Sequence, residues 1–158
     1  MRQGALRIEL PESLSPAAQR SSLDQAFGFL AKDLRARIEP ALIQALGPGW
    51  VLEVGLLCRP PTRQGNPDDP AFLLKEILRS GSPPRSCLPR TKPWLDLARD
   101  VLVLRNAFAH RRLVVGPATR DGLAKMGLLV SAADLPASRD IQALLACQGP
   151  MRSAQGRS

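Results

Sequence analysis

The sequence predicts an all-α protein, built as a bundle of four to five helices. Aromatic residues make up 4% of the 158 residues and Tyr is absent, so the core must consist mainly of aliphatic side chains. Leu and Ala favour helices, whereas β-sandwiches are rich in aromatic and β-branched residues. Apolar residues also recur at spacings of three and four, which is the period of a helix with one buried face.

A single helical domain is expected over residues 20–147, because a chain of this length suits one core. Residues 1–19 contain Pro11 and Pro16 without a helical period. They are predicted to form an extended arm, in which a short strand over 6–10 is one interpretation. The polar residues 148–158 are predicted to be a disordered tail.

The first helix is predicted to begin near Ser22, since Ser22 and Gln25 match a capping box. Pro40 is expected to kink or split this helix, and the sequence Gly47-Pro48-Gly49 is expected to end it. Residues 50–57 fit either another helical turn or a buried connector. The buried stripe of the first helix is predicted to comprise Leu23, Phe27, Leu30, Leu34, Ile38 and Leu42.

The next helix is predicted to start at Asp69-Pro70, where a capping carboxylate precedes proline at the first helical position, and to run to about Arg79. A central helix should begin near Pro93, and helices over 117–133 and from Ser138 complete the bundle. The central helix has a core seam that comprises Trp94, Leu97, Val101, Leu104 and Phe108. Its opposite side carries Leu102, Val103 and Leu113, which predicts a helix buried in the bundle or shared with a second chain.

Composition limits the classes of partner and cofactor. A net charge of +8 favours either phosphate contacts or plain solubility. Cys58, Cys87 and Cys147 lie far apart without a CxxC motif, so neither a metal site nor another cofactor is predicted, and reduced thiols indicate a cytoplasmic protein. No apolar run reaches the length of a membrane span, and no signal-peptide pattern is seen at the N-terminus.

The chemistry is expected at the end of the central helix. His110 is the only histidine, and its side chain can exchange protons near neutral pH. Asn106 lies one turn before it, on the side opposite the core seam. Arg105 lies on the flank, about 140° from His110 on an ideal helix, so their convergence needs a cleft, a distorted helix end or two chains. A cation, a polar orienter and a proton shuttle are the minimum set for cleaving a phosphodiester without metal.

The sequence Arg105-Asn106 followed by Ala109-His110 resembles the R-x4-6-H signature of the HEPN superfamily of helical, ribonuclease-like domains. The first helix ending before Gly49-Trp50 and the segment 69–74 are similar to one subgroup. That subgroup includes the HEPN domain of a eukaryotic transcript-surveillance endonuclease and domains from bacterial conflict and defence loci. The resemblance covers about residues 20–133.

The resemblance implies a homodimeric, metal-independent endoribonuclease in which the motif helices of two protomers line one cleft. His110 would act as general base or acid on the ribose 2′-hydroxyl or the leaving 5′-oxygen. Arg105 would stabilise charge on the phosphoryl group, and Asn106 would orient His110 or the phosphate. RNA is the implied partner, in a stress, phage-defence or toxin–antitoxin setting in which a further partner protein is expected. The expected products carry 2′,3′-cyclic phosphate and 5′-hydroxyl ends.

One departure from a toxin branch of the superfamily is informative. That branch carries a tyrosine two residues after the histidine, and its antitoxin modifies this tyrosine. Arg112 occupies the position here, so control by tyrosine modification is excluded. Arg111 and Arg112 are predicted to bind RNA, or else to be solvated cations near a helix C-terminus.

Several structural alternatives stand beside the catalytic one. His110 would then be a helix-end residue, capping or solvated, in a domain that uses the fold only as a scaffold, and Arg105 would pair with an acid such as Asp100 or Asp134. Trp50 and Trp94 are interpreted as core anchors rather than base-stacking residues.

Two further function classes are considered. The first is a non-catalytic interaction module, for which His110→Ala is neutral while substitutions at Leu102 or Val103 break assembly. The second is a helix-turn-helix DNA-binding protein, which ranks third because no exposed recognition helix with base-reading residues is evident.

Overall fold

The computed structural model describes residues 15–112 and 116–149, and throughout these ranges the only regular secondary structure is helical. The prediction of an all-α fold is confirmed. A short 3₁₀ helix over Pro83–Ser86 precedes the fourth of six α-helices. The helices are α1 Pro16–Leu46, α2 Trp50–Leu57, α3 Pro70–Leu78, α4 Lys92–Ala109, α5 Pro117–Ala132 and α6 Ser138–Ala146. The count exceeds the predicted four to five because the run over 50–57 is a helix and not a connector.

Helix α1 begins at Pro16, earlier than the predicted start near Ser22. The Ser15 hydroxyl accepts a hydrogen bond from the Ala18 N–H at 3.2 Å, and Pro16 occupies a position where its missing N–H costs nothing. Ser22 is buried within the helix. The predicted arm is therefore wrong for residues 16–19, while residues 1–14 and the strand considered there lie outside the described residues, as do residues 150–158 of the predicted tail.

Pro40 lies inside α1 without splitting it, and the helix continues to Leu46. It ends at Gly47, which has a φ of 82° and whose N–H bonds to the Ile43 carbonyl at 2.8 Å. Glycine adopts this left-handed conformation without steric cost. Helix α2 then leaves at about 90° to α1, so the predicted stop at residues 47–49 is confirmed.

The core lies between α1 and the helices that surround it. The predicted stripe of α1 is buried, with exposures of 3% or less for all of Leu23, Phe27, Leu30, Leu34, Ile38 and Leu42. Trp50 is buried with its ring 6.4 Å from that of Phe72, and Trp94 donates its indole N–H to the Leu129 carbonyl at 3.0 Å. Both tryptophans are therefore core anchors, as predicted.

Helix packing fixes the surroundings of the motif. Helix α1 packs against α3, α5 and α6, and α4 packs between α3 and α5. The C-terminal half of α4 reaches α1 through side chains, since the rings of Phe27 and Phe108 are 5.4 Å apart. Within the seam of α4, Trp94 and Val101 are buried, whereas Val103 on the other side is 68% exposed. Leu113 lies outside the described residues.

The structure also bears on the predictions about metal sites, cysteines and membrane spans. Within 15–112 and 116–149, no group of three or more His, Cys, Asp or Glu side chains could hold a metal ion. Cys58, Cys87 and Cys147 are free thiols. No single described helix is both long and apolar enough to cross a membrane, although α1 and α2 pass that test of length and composition together as a bent pair.

Replacing Arg37 with methionine is expected to lower the free energy of unfolding by about 2 kcal/mol. The Arg37 guanidinium donates to the carbonyls of Ala133 and Asp134, each at 3.1 Å, and so ties α1 to the end of α5. Methionine keeps an apolar stem but removes these charge-assisted bonds. Urea denaturation should show a lower midpoint with an unchanged slope. Arg20→Met, at an exposed position of the same helix, should change the midpoint little.

Candidate functional site

His110 and Asn106 lie at the C-terminal end of α4. His110 is the C-cap residue, and its backbone N–H bonds to the Asn106 carbonyl at 3.1 Å. This i to i−4 bond places the two residues one helical turn apart. The His110 side chain is exposed and Asn106 is half-buried. The imidazole is therefore accessible to a substrate from solvent.

Helix α4 ends at its C-cap, His110, and two cations are exposed directly after it. The N–H of Arg111 bonds to the Phe108 carbonyl at 3.1 Å, and the N–H of Arg112 bonds to the Ala107 carbonyl at 2.9 Å. This pairing needs a left-handed residue at position 111, where glycine is usual; here Arg111 has a φ of 54°, at a cost of about 1 kcal/mol. Arg111 and Arg112 are exposed beside His110.

Arg105 points toward α1 and α3. Its side chain is 21% exposed, its Nε lies 3.3 Å from Asp69 Oδ1, and its guanidinium carbon is 5.9 Å from the centre of the Phe27 ring. The alternative in which Arg105 pairs with an acid is therefore confirmed, but the acid is Asp69, and the two examples Asp100 and Asp134 are wrong. The Asp100 carboxylate pairs with Lys125 at 3.4 Å instead.

Asp69 performs two tasks with one carboxylate. As the N-cap of α3, its Oδ1 accepts the Ala71 N–H at 2.9 Å, and the same oxygen faces Arg105. The start of α3 therefore fixes the position of the Arg105 guanidinium. The helix start signal predicts Asp69 only as a cap, and the periodicity of α1 predicts Phe27 only as a core residue. Their contacts with Arg105 depend on the packing of α4 against α1 and α3, for which the sequence carries no local signal.

A cavity of about 250 Å³ opens beside Arg105. Its walls come from α1 and from the loop before α3, and its charged lining consists of Arg105, Asp24, Asp68 and Asp69. Of these three carboxylates, Asp69 pairs with Arg105, whereas Asp68 accepts a hydrogen bond from Arg35 Nη1 at 2.7 Å. His110 is not among the lining residues, so within one chain Arg105 and His110 face different surroundings.

One exposed stripe of α4 carries Arg99, Val103, Asn106 and His110, which follow one another at steps of four, three and four residues. Such steps keep side chains on one face of a helix. In the described part of the chain, no hydrogen bond or ion pair engages the His110 or Asn106 side chain. This stripe therefore leaves an apolar side chain, an amide and an imidazole open to a ligand or a second chain.

The three motif residues are thus divided between two faces of α4. Arg105 is held from the α1 and α3 side, whereas Asn106 and His110 are presented on the exposed stripe. The sequence left three ways for Arg105 and His110 to converge, namely a cleft, a distorted helix end or two chains. Distortion of the helix end contributes little to convergence, because the N–H of His110 keeps its helical bond to the Asn106 carbonyl. Comparisons of the chain with protein-family models, with curated proteins and with solved structures find no significant match.

Proposed function

We propose that this protein is a metal-independent endoribonuclease of HEPN type that works as a homodimer in a stress or defence setting. The observation that carries the proposal is the end of α4, where the exposed His110 and the half-buried Asn106 lie one turn apart while Arg105 is anchored on another face of the same helix. These side chains supply a proton-transfer group, a polar orienter and a fixed cation. The resemblance to the R-x4-6-H signature supports the class of reaction, which is metal-independent cleavage of RNA.

The proposed reaction is transesterification by the ribose 2′-hydroxyl. A neutral His110 takes the 2′-hydroxyl proton as the 2′-oxygen attacks phosphorus, and the bond to the 5′-oxygen breaks. The leaving oxygen takes a proton from a protonated imidazole. Arg105 stabilises the additional negative charge on the phosphoryl group. The products are a 2′,3′-cyclic phosphate and a 5′-hydroxyl.

A dimer suits this chemistry because base and acid act at opposite oxygens. One imidazole cannot hold both protonation states at once, whereas two copies of His110 can divide the roles. The exposed stripe of α4 supports such a pairing, since Val103 is 68% exposed there. A two-fold axis through the stripe would bring Val103 and His110 of one protomer against the same face of its partner.

RNA binding is supported by the charge around the helix end. Arg111 and Arg112 are exposed next to His110, and the chain carries a net charge of +8. Contacts from such cations go mainly to phosphates and place the strand without reading its sequence. Cleavage should therefore weaken as salt concentration rises.

The proposal is tested by incubating purified protein with end-labelled RNA in the presence of EDTA. We expect cleavage to persist in EDTA, to yield 2′,3′-cyclic phosphate ends and to disappear with His110→Ala. Cleavage that EDTA abolishes, or that both proteins catalyse equally, would contradict the proposal. A complete lack of cleavage by the wild-type protein on every RNA class offered would move the interaction module described below into first place.

Asp69→Asn is expected to reduce cleavage about tenfold, because a neutral amide holds the guanidinium less firmly than a carboxylate. Asparagine is also a good N-cap, so the free energy of unfolding should change by less than about 0.5 kcal/mol. Asp69→Ala removes both the cap of α3 and the ion pair with Arg105. It should lower the free energy of unfolding by about 1 kcal/mol and should also reduce cleavage. Parallel thermal denaturation and cleavage assays separate the two. Equal cleavage by wild type and Asp69→Asn would show that Asp69 is only a cap.

A second candidate function is a non-catalytic interaction module, favoured by exposed apolar side chains on two helices. Leu52, Leu56 and Leu57 of α2 are 45–49% exposed, and Val103 of α4 is more so. On this function His110→Ala is neutral, whereas Val103→Asp breaks assembly. Because Val103→Asp would also break the proposed dimer, His110→Ala is the variant that distinguishes the two functions.

A further inference from the structure

A second concave surface lies away from the motif, between α2, α3 and α4. It encloses about 530 Å³, and its apolar lining comes from Val54, Leu57, Leu78 and Leu102. Leu57 is 49% exposed, so part of this lining already faces solvent. The groove contains none of Arg105, Asn106 or His110, and nothing in the proposed reaction uses it.

The rim of this groove is cationic. Arg59 and Lys75 are exposed at its edge, and neither forms an ion pair within the described ranges. Cys58 also lines the groove; burial raises the pKa of its thiol, which keeps it neutral at physiological pH. The thiol therefore adds to the apolar surface and not to its charge.

The groove contains one acid, and its charge is already compensated. The Glu76 side chain is 2% exposed and pairs with Arg79, which donates Nε to Oε2 at 2.9 Å and Nη2 to Oε1 at 2.8 Å. Ser82 donates a further bond to Oε1 at 3.2 Å. Arg79 is thus balanced by Glu76, and the uncompensated charge of the groove is the +2 of Arg59 and Lys75.

We propose that this groove binds an acidic amphipathic helix of a partner protein. Apolar side chains at i, i+3, i+4 and i+7 of such a helix would fill the space over Leu57 and Leu102. Glu or Asp side chains on its flanks would meet Arg59 and Lys75. Two features of the groove determine the choice of occupant. Its concave, apolar floor suits the apolar face of a helix, and its positively charged rim suits acidic side chains on the flanks of that helix.

Other occupants fit this surface less well. Single-stranded nucleic acid binds largely by stacking on aromatic rings, and the lining is aliphatic. A membrane surface would meet a convex apolar face and not a concave one. A second copy of this chain, at a net charge of +8, offers less charge complementarity than an acidic partner.

The test uses two fluorescent synthetic peptides of about 16 residues, long enough for four helical turns. One carries Leu at i, i+3, i+4 and i+7 with Glu on both flanks, and its twin carries Lys in place of Glu. Fluorescence anisotropy with the full chain should show at least about tenfold tighter binding of the acidic peptide. Leu57→Asp should weaken that binding at least about tenfold. Leu128→Asp, at a 59% exposed position of α5, is the matched control and should leave it unchanged.

A charge-reversal variant gives an independent readout. Arg59→Glu combined with Lys75→Glu should reverse the preference, so that the Lys peptide binds more tightly than the Glu peptide. Because both positions are exposed, this variant should keep its helical circular dichroism even if Leu57→Asp does not.

Several results would overturn the proposal. These are the absence of peptide binding, equal binding of the two peptides, or unchanged binding by both groove variants. Competition by anionic vesicles or by RNA with the bound peptide would reassign the groove to that ligand. A Leu57→Asp protein that becomes monomeric by light scattering would assign the groove to the dimer contact. The same variants should retain RNA cleavage in EDTA, so failure of this proposal and failure of the nuclease proposal are distinguishable.

Discussion

Replacing His110 with alanine is expected to lower RNA cleavage by about 10²–10⁴-fold, the usual contribution of a positioned general acid or base. The free energy of unfolding should not change measurably. The imidazole is exposed and has no side-chain bond in the described structure, while the backbone bond from the His110 N–H to the Asn106 carbonyl survives in alanine. Initial rates on end-labelled RNA and urea midpoints, measured on the same preparations, check both statements.

Mixing proteins shows whether two copies of His110 share one site. Adding excess His110→Ala protein to wild type produces mixed dimers, each with a single imidazole. If base and acid come from different protomers, activity should fall to well below half of the wild-type rate, because mixed dimers lack one proton-transfer group. Activity that is unaffected by the added variant would show that each chain works alone, and would contradict the proposed division of roles.

The fold was largely predictable because its elements depend on local patterns. The stripe of α1 and the seam of α4 follow helical periods, and Asp69-Pro70 marks the start of α3 by capping chemistry alone. The predicted start of α1 near Ser22 is wrong because a proline such as Pro16 is also typical of extended segments. At the first helical position the same proline favours a helix, and Ser15 supplies the cap.

The candidate site was predictable only in part. The spacing of Asn106 and His110 places them one turn apart whatever surrounds the helix. The partner of Arg105 is different, because Asp69 comes near it only when α3 packs against α4. Asp100 lies five residues before Arg105, and five residues along a helix turn a side chain about 140° away. Tertiary packing therefore determines which acid pairs with Arg105.

Arg105→Ala is expected to lower cleavage by about 10²–10³-fold, the typical cost of losing a group that stabilises transition-state charge. It should also lower the free energy of unfolding by about 1 kcal/mol, because the Arg105 side chain is largely buried over Phe27 and paired with Asp69. Rates must therefore be compared at a temperature where both proteins are fully folded. Loss of stability without loss of cleavage would make Arg105 a structural residue only.

The lysine variant tests how Arg105 would serve two anions. Its Nε faces Asp69, which leaves the two terminal nitrogens for a phosphate in the bidentate geometry that guanidinium allows. Lysine has one ammonium, which Asp69 would capture, so Arg105→Lys should lose nearly as much cleavage as Arg105→Ala. Removing the competing carboxylate should release that ammonium. Arg105→Lys combined with Asp69→Asn is therefore expected to cleave faster than Arg105→Lys alone, although Asp69→Asn slows the wild-type protein. Simple additivity of the two changes would show that Asp69 does not act through Arg105.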